Sequence, residues 1–193
     1  AVNCKPLGRR ARREDADPQR VDGLRRQVEQ LAAATNVERA VLDNLRAWLA
    51  GDWAAAHGAA RAQAELAPGS IPHFQVAEEA RRLNRPREAR EVLAELDPDK
   101  GEMHGWIYYW LELATAHHLL GDHTRELETA ARARQAHPDD PMAVLLEVRA
   151  LAGLGRVDDV LRLGDQALAS PPARRPWPGE LVLEAALELR THG

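Results

Sequence analysis

Apolar residues recur at spacings of three and four along most of the chain, and short polar breaks divide that pattern into units. This period places the apolar side chains on one face of an α-helix. After Asp17-Pro18, where Asp can cap and Pro suits a first helical position, Val21, Leu24, Val28, Leu31 and Ala32 keep the spacing. They predict a helix over 18–34. Thr35-Asn36-Val37-Glu38 reads as a capping box, in which Thr and Glu satisfy each other's free amides. It predicts a second helix to about Ala50, broken at Gly51-Asp52. A third runs from Trp53 to Ala67 and stops at Pro68-Gly69-Ser70. Further breaks fall at Asn84-Arg85-Pro86, Asp97-Pro98-Asp99, Gly121-Asp122, His137-Pro138-Asp139-Asp140-Pro141, Gly153-Leu154-Gly155 and Pro171-Pro172. No stretch shows the strict alternation of a half-buried strand, so the chain is predicted all-α. Residues 1–16 have no apolar period and are expected to form a mobile arm.

The breaks are themselves periodic. Gly121 to Gly155, Ala133 to Ala167 and Pro138 to Pro172 are each 34 residues apart. Gly51 to Gly121 is 70 residues, close to two such periods. A fixed period of this length marks helix–turn–helix units that bury their apolar faces against neighbours. The clearest copy, 107–140, has Trp110 early in its first helix, then Leu113 and Ala114. Gly121 follows at the turn, Ala133 lies in the second helix and Pro138 closes the unit. These residues resemble the tetratricopeptide repeat family over roughly 37–174. The copies fall at about 37–69, 70–99, 105–140 and 141–174. The second departs most: Asn84 stands where the turn Gly is expected, its second helix is short, and Asp99-Lys100-Gly101-Glu102 takes up the lost length. The resemblance implies a right-handed α-solenoid over 17–193, with the 18–34 helix before it. Residues 178–193 are expected to be a truncated fifth repeat, because Gly193 stands at the turn position and the helix is apolar over much of its girth.

Charge narrows the choice of partner. The chain of 193 residues carries 26 Lys plus Arg against 30 Asp plus Glu, a formal net charge of −4, so a general nucleic-acid binder is not expected. Arg9, Arg10, Arg12 and Arg13 read as a solvated charge run. A single cysteine, Cys4, excludes an internal disulfide framework and a multi-cysteine zinc site. With only eight aromatic residues, Leu, Ala and Val must fill the core. No apolar run approaches the length of about 18 residues that a membrane span needs, and a cytoplasmic location is expected.

Catalytic motifs are missing: there is no GxSxG, no phosphate loop and no HExxH. Asp97-Pro98-Asp99 opens like a calcium loop, but Glu102 occupies the position that needs Gly. His117, His118 and His123, with His104 upstream, are the one group suited to a metal. His117 and His118 are adjacent, so on a helix they point about 100° apart. His117 and His123 also fall at packing positions of the repeat, and neither metal nor cofactor is expected.

The resemblance implies that certain first-helix positions line an inner groove. They are Val41, Leu45, Trp48 and Leu49; Ile71, Phe74, Glu78, Arg81 and Arg82; Tyr108, Leu111, Thr115, His118 and Leu119; and Met142, Leu145 and Arg149. Trp48, Phe74, Glu78, Arg81, Arg82, Tyr108, Thr115, His118 and Arg149 are the expected partner-binding residues. Such a groove suits an extended or helical peptide with acidic and apolar residues. The Lys and Asn clamp of the family's chaperone-binding members is absent, since Phe74, Leu111 and Glu78 hold the matching positions. The expected function is a non-catalytic protein–protein interaction module. The run from Gly51-Asp52-Trp53 to His123 is similar to repeat arrays of bacterial regulators linked to a Ser/Thr kinase, a nucleotide cyclase or a winged-helix domain. Two alternatives are a metal-dependent enzyme built on the histidine cluster, and a DNA-binding accessory using the Arg9–Arg13 arm and the groove arginines.

Overall fold

The computed structural model describes residues 22–23, 36–169 and 178–192. The expected arm at 1–16, nearly all of the expected 18–34 helix, Thr35, Pro171-Pro172 and Gly193 lie outside the described residues; Asp22 and Gly23 are helical. Among the described residues the chain is all-α, without a strand. The helices are α1 (Asn36–Ala50), α2 (Trp53–Leu66), α3 (Ile71–Arg82), α4 (Pro86–Ala94), α5 (Ile107–Leu119), α6 (His123–Ala136), α7 (Pro141–Gly153), α8 (Val157–Ala169) and α9 (Pro178–His192). A short 3-10 turn, Gly101–Met103, precedes α5.

Each helix from α1 to α9 packs against its successor, and α3–α5, α5–α7 and α7–α9 also touch. Thus α3, α5, α7 and α9 each touch the next of that series. Alanine allows the close approach: Ala60, Ala77, Ala114 and Ala133 are fully buried at the seams. One core runs from α2 to α7 around Phe74, Leu93, Met103, Tyr109, Trp110 and Leu146. A second joins α7 to α9 through Val148, Leu151, Val160, Leu163 and Leu181. Tyr109 brings a hydroxyl into the first core and satisfies it by donating to the Leu93 carbonyl at 3.1 Å.

The reversal after α1, α3, α5 and α7 is the same motif four times. Gly51, Asn84, Gly121 and Gly155 have φ between 58° and 71°, the left-handed region. At each, the following N–H reaches back to a helix carbonyl: Asp52 to Ala47, Arg85 to Ala80, Asp122 to His117 and Arg156 to Leu151, at 2.9–3.0 Å. The turn residue's own N–H bonds the next carbonyl along, as in Asn84 to Arg81 at 2.9 Å. This is the Schellman arrangement, and it closes the orphan carbonyls at a helix end. Asn84 can substitute for Gly there because a short polar side chain tolerates the left-handed region. Asp52 and Asp122 then cap α2 and α6, accepting from Ala55 N (3.0 Å) and Arg125 N (3.2 Å).

The segment after α4 is more than the spacer expected of it. Met103 is 1% exposed and fills the core. The Glu102 carboxylate accepts from the Ile71 N–H at 2.6 Å, capping α3, where Ser70 makes no side-chain cap of its own.

A side chain added at Gly121 would meet nothing within 4 Å, so its cost is backbone strain alone. The left-handed conformation costs an L-residue about 1–2 kcal/mol, more for a β-branched one. Gly121→Val should therefore lower Tm by about 4 °C or more, while Asn84→Gly should stay within about 2 °C of the unaltered chain. Calorimetry of both variants checks this, and an unchanged Tm for Gly121→Val would contradict it.

Candidate functional site

Apolar side chains remain uncovered on several helices. Val41 and Leu45 on α1, Ile71 on α3, Tyr108 and Leu119 on α5, and Leu183 and Leu187 on α9 are exposed. Val41 and Leu45 share a helix face at a spacing of four. Tyr108 and Leu119 are eleven residues apart, which returns to within about 20° of the same direction. Tyr108 stands over a stack of rings: its ring lies 5.7 Å from Trp106, which lies 4.7 Å from Phe74. Phe74 itself is only 4% exposed. It supports the stack from the core and does not face outward as the groove position implied, because α5 and the Trp106 ring cover it.

Charged side chains fill the space between these helices, and they pair with one another. Arg81 on α3 holds Glu112 on α5 through both carboxylate oxygens, at 2.5 and 3.0 Å. Arg82 donates to Glu78 at 2.7 Å, and its guanidinium lies 4.5 Å from the Trp48 ring and 4.7 Å from the Trp53 ring. Those two indoles meet edge to face at 5.1 Å. Trp48 thus receives a cation from its own chain, a contact in which the flat guanidinium stacks well on an aromatic face.

Beneath Arg82, Glu79 has no exposed surface. Neither of its oxygens makes a well-formed hydrogen bond, and Arg82 Nε is 4.0 Å away. Burial, reinforced by the neighbouring Glu78 charge, pushes its pKa up to about 7 against the pull of Arg82, the Trp48 N–H and Arg81.

The densest group gathers on α5, α6 and α7. Glu126 is fully buried on α6. Its Oε2 faces Nδ1 of His118 at 3.1 Å and Nδ1 of His123 at 3.0 Å. Its Oε1 accepts from Arg149 Nε at 2.6 Å. Arg149 also reaches Thr115 at 3.5 Å, a residue 34 positions earlier and equivalent in the repeat frame. His118 turns its other nitrogen, Nε2, to Glu188 on α9 at 3.4 Å. Burial raises the Glu126 pKa, but His118, Arg149 and His123 outweigh it and hold it below the ordinary glutamate value. His117 points elsewhere: burial pushes its pKa down, and it packs as a neutral ring.

Three of the expected partner-binding residues, Thr115, His118 and Arg149, therefore meet in one cluster. Trp48, Glu78 and Arg82 meet in another, and Arg81 lies between the two, bound to Glu112. Sequence reasoning missed Glu79, Glu112, Glu126 and Glu188. A signal was present for one of them. Glu126, Ala130 and Ala133 stand at i, i+4 and i+7, so the carboxylate lies on the stripe that α6 buries.

No family model matches the chain, and no curated protein matches it either. Among the described residues no helix is long and apolar enough to cross a membrane.

Glu79 gives a pH dependence of definite sign. Its folded pKa lies above the unfolded value, so stability is lost as pH rises from about 4.5 to 7, and the penalty is full above that window. Glu79→Gln should stabilise by about 1–3 kcal/mol at pH 8 and by little at pH 5, read by urea unfolding at both pH values. An equal effect at the two pH values would contradict it.

Proposed function

We propose that this chain is a non-catalytic protein-interaction module, a right-handed α-solenoid of tetratricopeptide-like repeats whose inner face holds a peptide or partner domain. Two observations support the solenoid. The four left-handed reversals recur at intervals of 33, 37 and 34 residues. Equivalent residues of neighbouring units, Thr115 and Arg149, touch across 34 positions. The looser likeness to repeat arrays of bacterial regulators suggests the docking part of a larger cytoplasmic regulator.

One observation carries the binding reading. The inner-face charges are already committed to intramolecular pairs, while Val41, Leu45, Ile71, Tyr108 and Leu119 are exposed beside them. A partner gains most by covering those apolar side chains, since displacing a paired, half-buried arginine costs the pair it leaves behind. The partner is then a helical or extended segment with apolar anchors at helical or alternate spacing. Acidic residues in it act at the rim.

Selection of random peptides on the immobilised chain, followed by fluorescence anisotropy of the enriched sequences, tests this. Enriched peptides should carry two or more large apolar anchors. Tyr108→Ser and Leu119→Ser should each weaken binding by about tenfold, a loss of about 1.4 kcal/mol. Leu161→Ser, which alters an exposed leucine on α8, should leave binding unchanged. No enrichment, or sensitivity to Leu161 in place of Tyr108 and Leu119, would overturn the reading.

A further inference from the structure

We infer that His118, His123 and Glu126 form a binding site for one divalent transition-metal ion, with zinc the best match. One donor atom from each of the three residues lies within 4.8 Å of the others. The Nδ1 atoms of His118 and His123 stand 3.1 and 3.0 Å from Glu126 Oε2. Zinc bonds to nitrogen and oxygen of about 2.0–2.1 Å place neighbouring tetrahedral ligands about 3.3 Å apart. The two nitrogen–oxygen separations are thus already close to those around a bound ion.

The surroundings are those of a metal site as well. A ligating histidine usually gives its other ring nitrogen to a carboxylate, and a ligating carboxylate is itself held by a donor. His118 Nε2 faces Glu188 Oε1 at 3.4 Å, and Glu126 Oε1 is held by Arg149 Nε at 2.6 Å. Two of the three ligands are thereby held by a partner on another helix, α9 for His118 and α7 for Glu126.

Gly153 is a second, independent sign. It lies at the end of α7, where a Cβ would come within 2.5 Å of His123 Nδ1 and 2.8 Å of two ring carbons. A helical glycine costs about 0.5–1 kcal/mol relative to alanine. Here it is what lets the His123 imidazole lie flat against α7 with Nδ1 turned to Glu126.

The donor set decides the ion. Two imidazoles and one carboxylate favour zinc and its neighbours over calcium or magnesium, which take oxygen ligands. Three protein ligands leave a fourth position for water or for a group from a partner. Without metal, ring N–H protons occupy the space between nitrogens and oxygen. The ion and that hydrogen-bonded state are alternatives at one place.

The test uses the whole chain, freed of metal by chelator and dialysed. It is titrated with zinc chloride by calorimetry, and its metal content is measured after removal of free ion. One equivalent should bind, and Tm should rise by about 5 °C at a hundredfold excess over Kd. Cobalt chloride should give the visible absorption of a four-coordinate ion. Glu126→Gln should abolish binding, and Glu188→Gln, which alters the carboxylate facing the outer nitrogen of His118, should weaken it 10- to 100-fold. His104→Gln, at an exposed histidine, should change nothing. Less than half an equivalent bound by the unaltered chain, or unchanged affinity in Glu188→Gln, would overturn the inference. If Glu126→Gln fails to fold, Glu188→Gln decides.

Discussion

Glu126 has no exposed surface, and a carboxylate taken from water costs several kcal/mol unless charge and hydrogen bonds replace the solvent. The replacements come from three helices. His123 is three residues along its own helix, His118 comes from α5 and Arg149 from α7. His118 passes the contact on to Glu188 of α9. Four helices thus meet around one buried charge. The apolar seams bring these helices close, but alanine against alanine carries little information about how one helix slides on the next. The polar ties set that register. Arg81–Glu112 does the same between α3 and α5, and Arg82 between Trp48 and Trp53 does it between α3 and the α1–α2 pair.

Such ties need each helix to be returned to its neighbour at a fixed angle, and the four left-handed reversals do this. A helix of 12–15 residues, such as α1 or α3, cannot hide its apolar stripe alone. Gly51, Asn84, Gly121 and Gly155 turn the chain within two residues, so the following helix covers that stripe. The reversals were legible because a left-handed residue and a broken apolar period leave marks in a single stretch of sequence. Asn84 counted in the sequence as a departure from the turn Gly, but its φ of 58° makes the same turn.

The polar clusters were less so. Each joins residues tens of positions apart, such as Arg81 with Glu112 and His118 with Glu188, and no local period records such a pairing. The histidines illustrate it. Adjacent on one helix, His117 read as a packing residue and His118 as a groove residue pointing away from it, and His117 is buried. His118, however, turns toward α6, where the unremarked Glu126 waits. Phe74 fails in the opposite direction. Its position in the repeat implied an outward ring, but Trp106, outside the period of the helices, lies across it.

The proposed binding face follows from these two levels together. Its arginines look free in sequence and are spent on glutamates in the fold. What remains uncommitted is apolar, which is why the proposed partner is one with apolar anchors.

A double-mutant cycle on Arg149 and Glu126 tests most directly whether buried charge ties hold the stack. Arg149→Leu, Glu126→Leu and the double variant would be unfolded in urea. Each single change strands a buried charge and should cost about 3–5 kcal/mol. The double variant should cost clearly less than the sum, with a coupling of at least about 1.5 kcal/mol. Costs that add to within about 0.5 kcal/mol would show that the two side chains contribute independently, and the account of the cluster as the tie between α5, α6, α7 and α9 would fall.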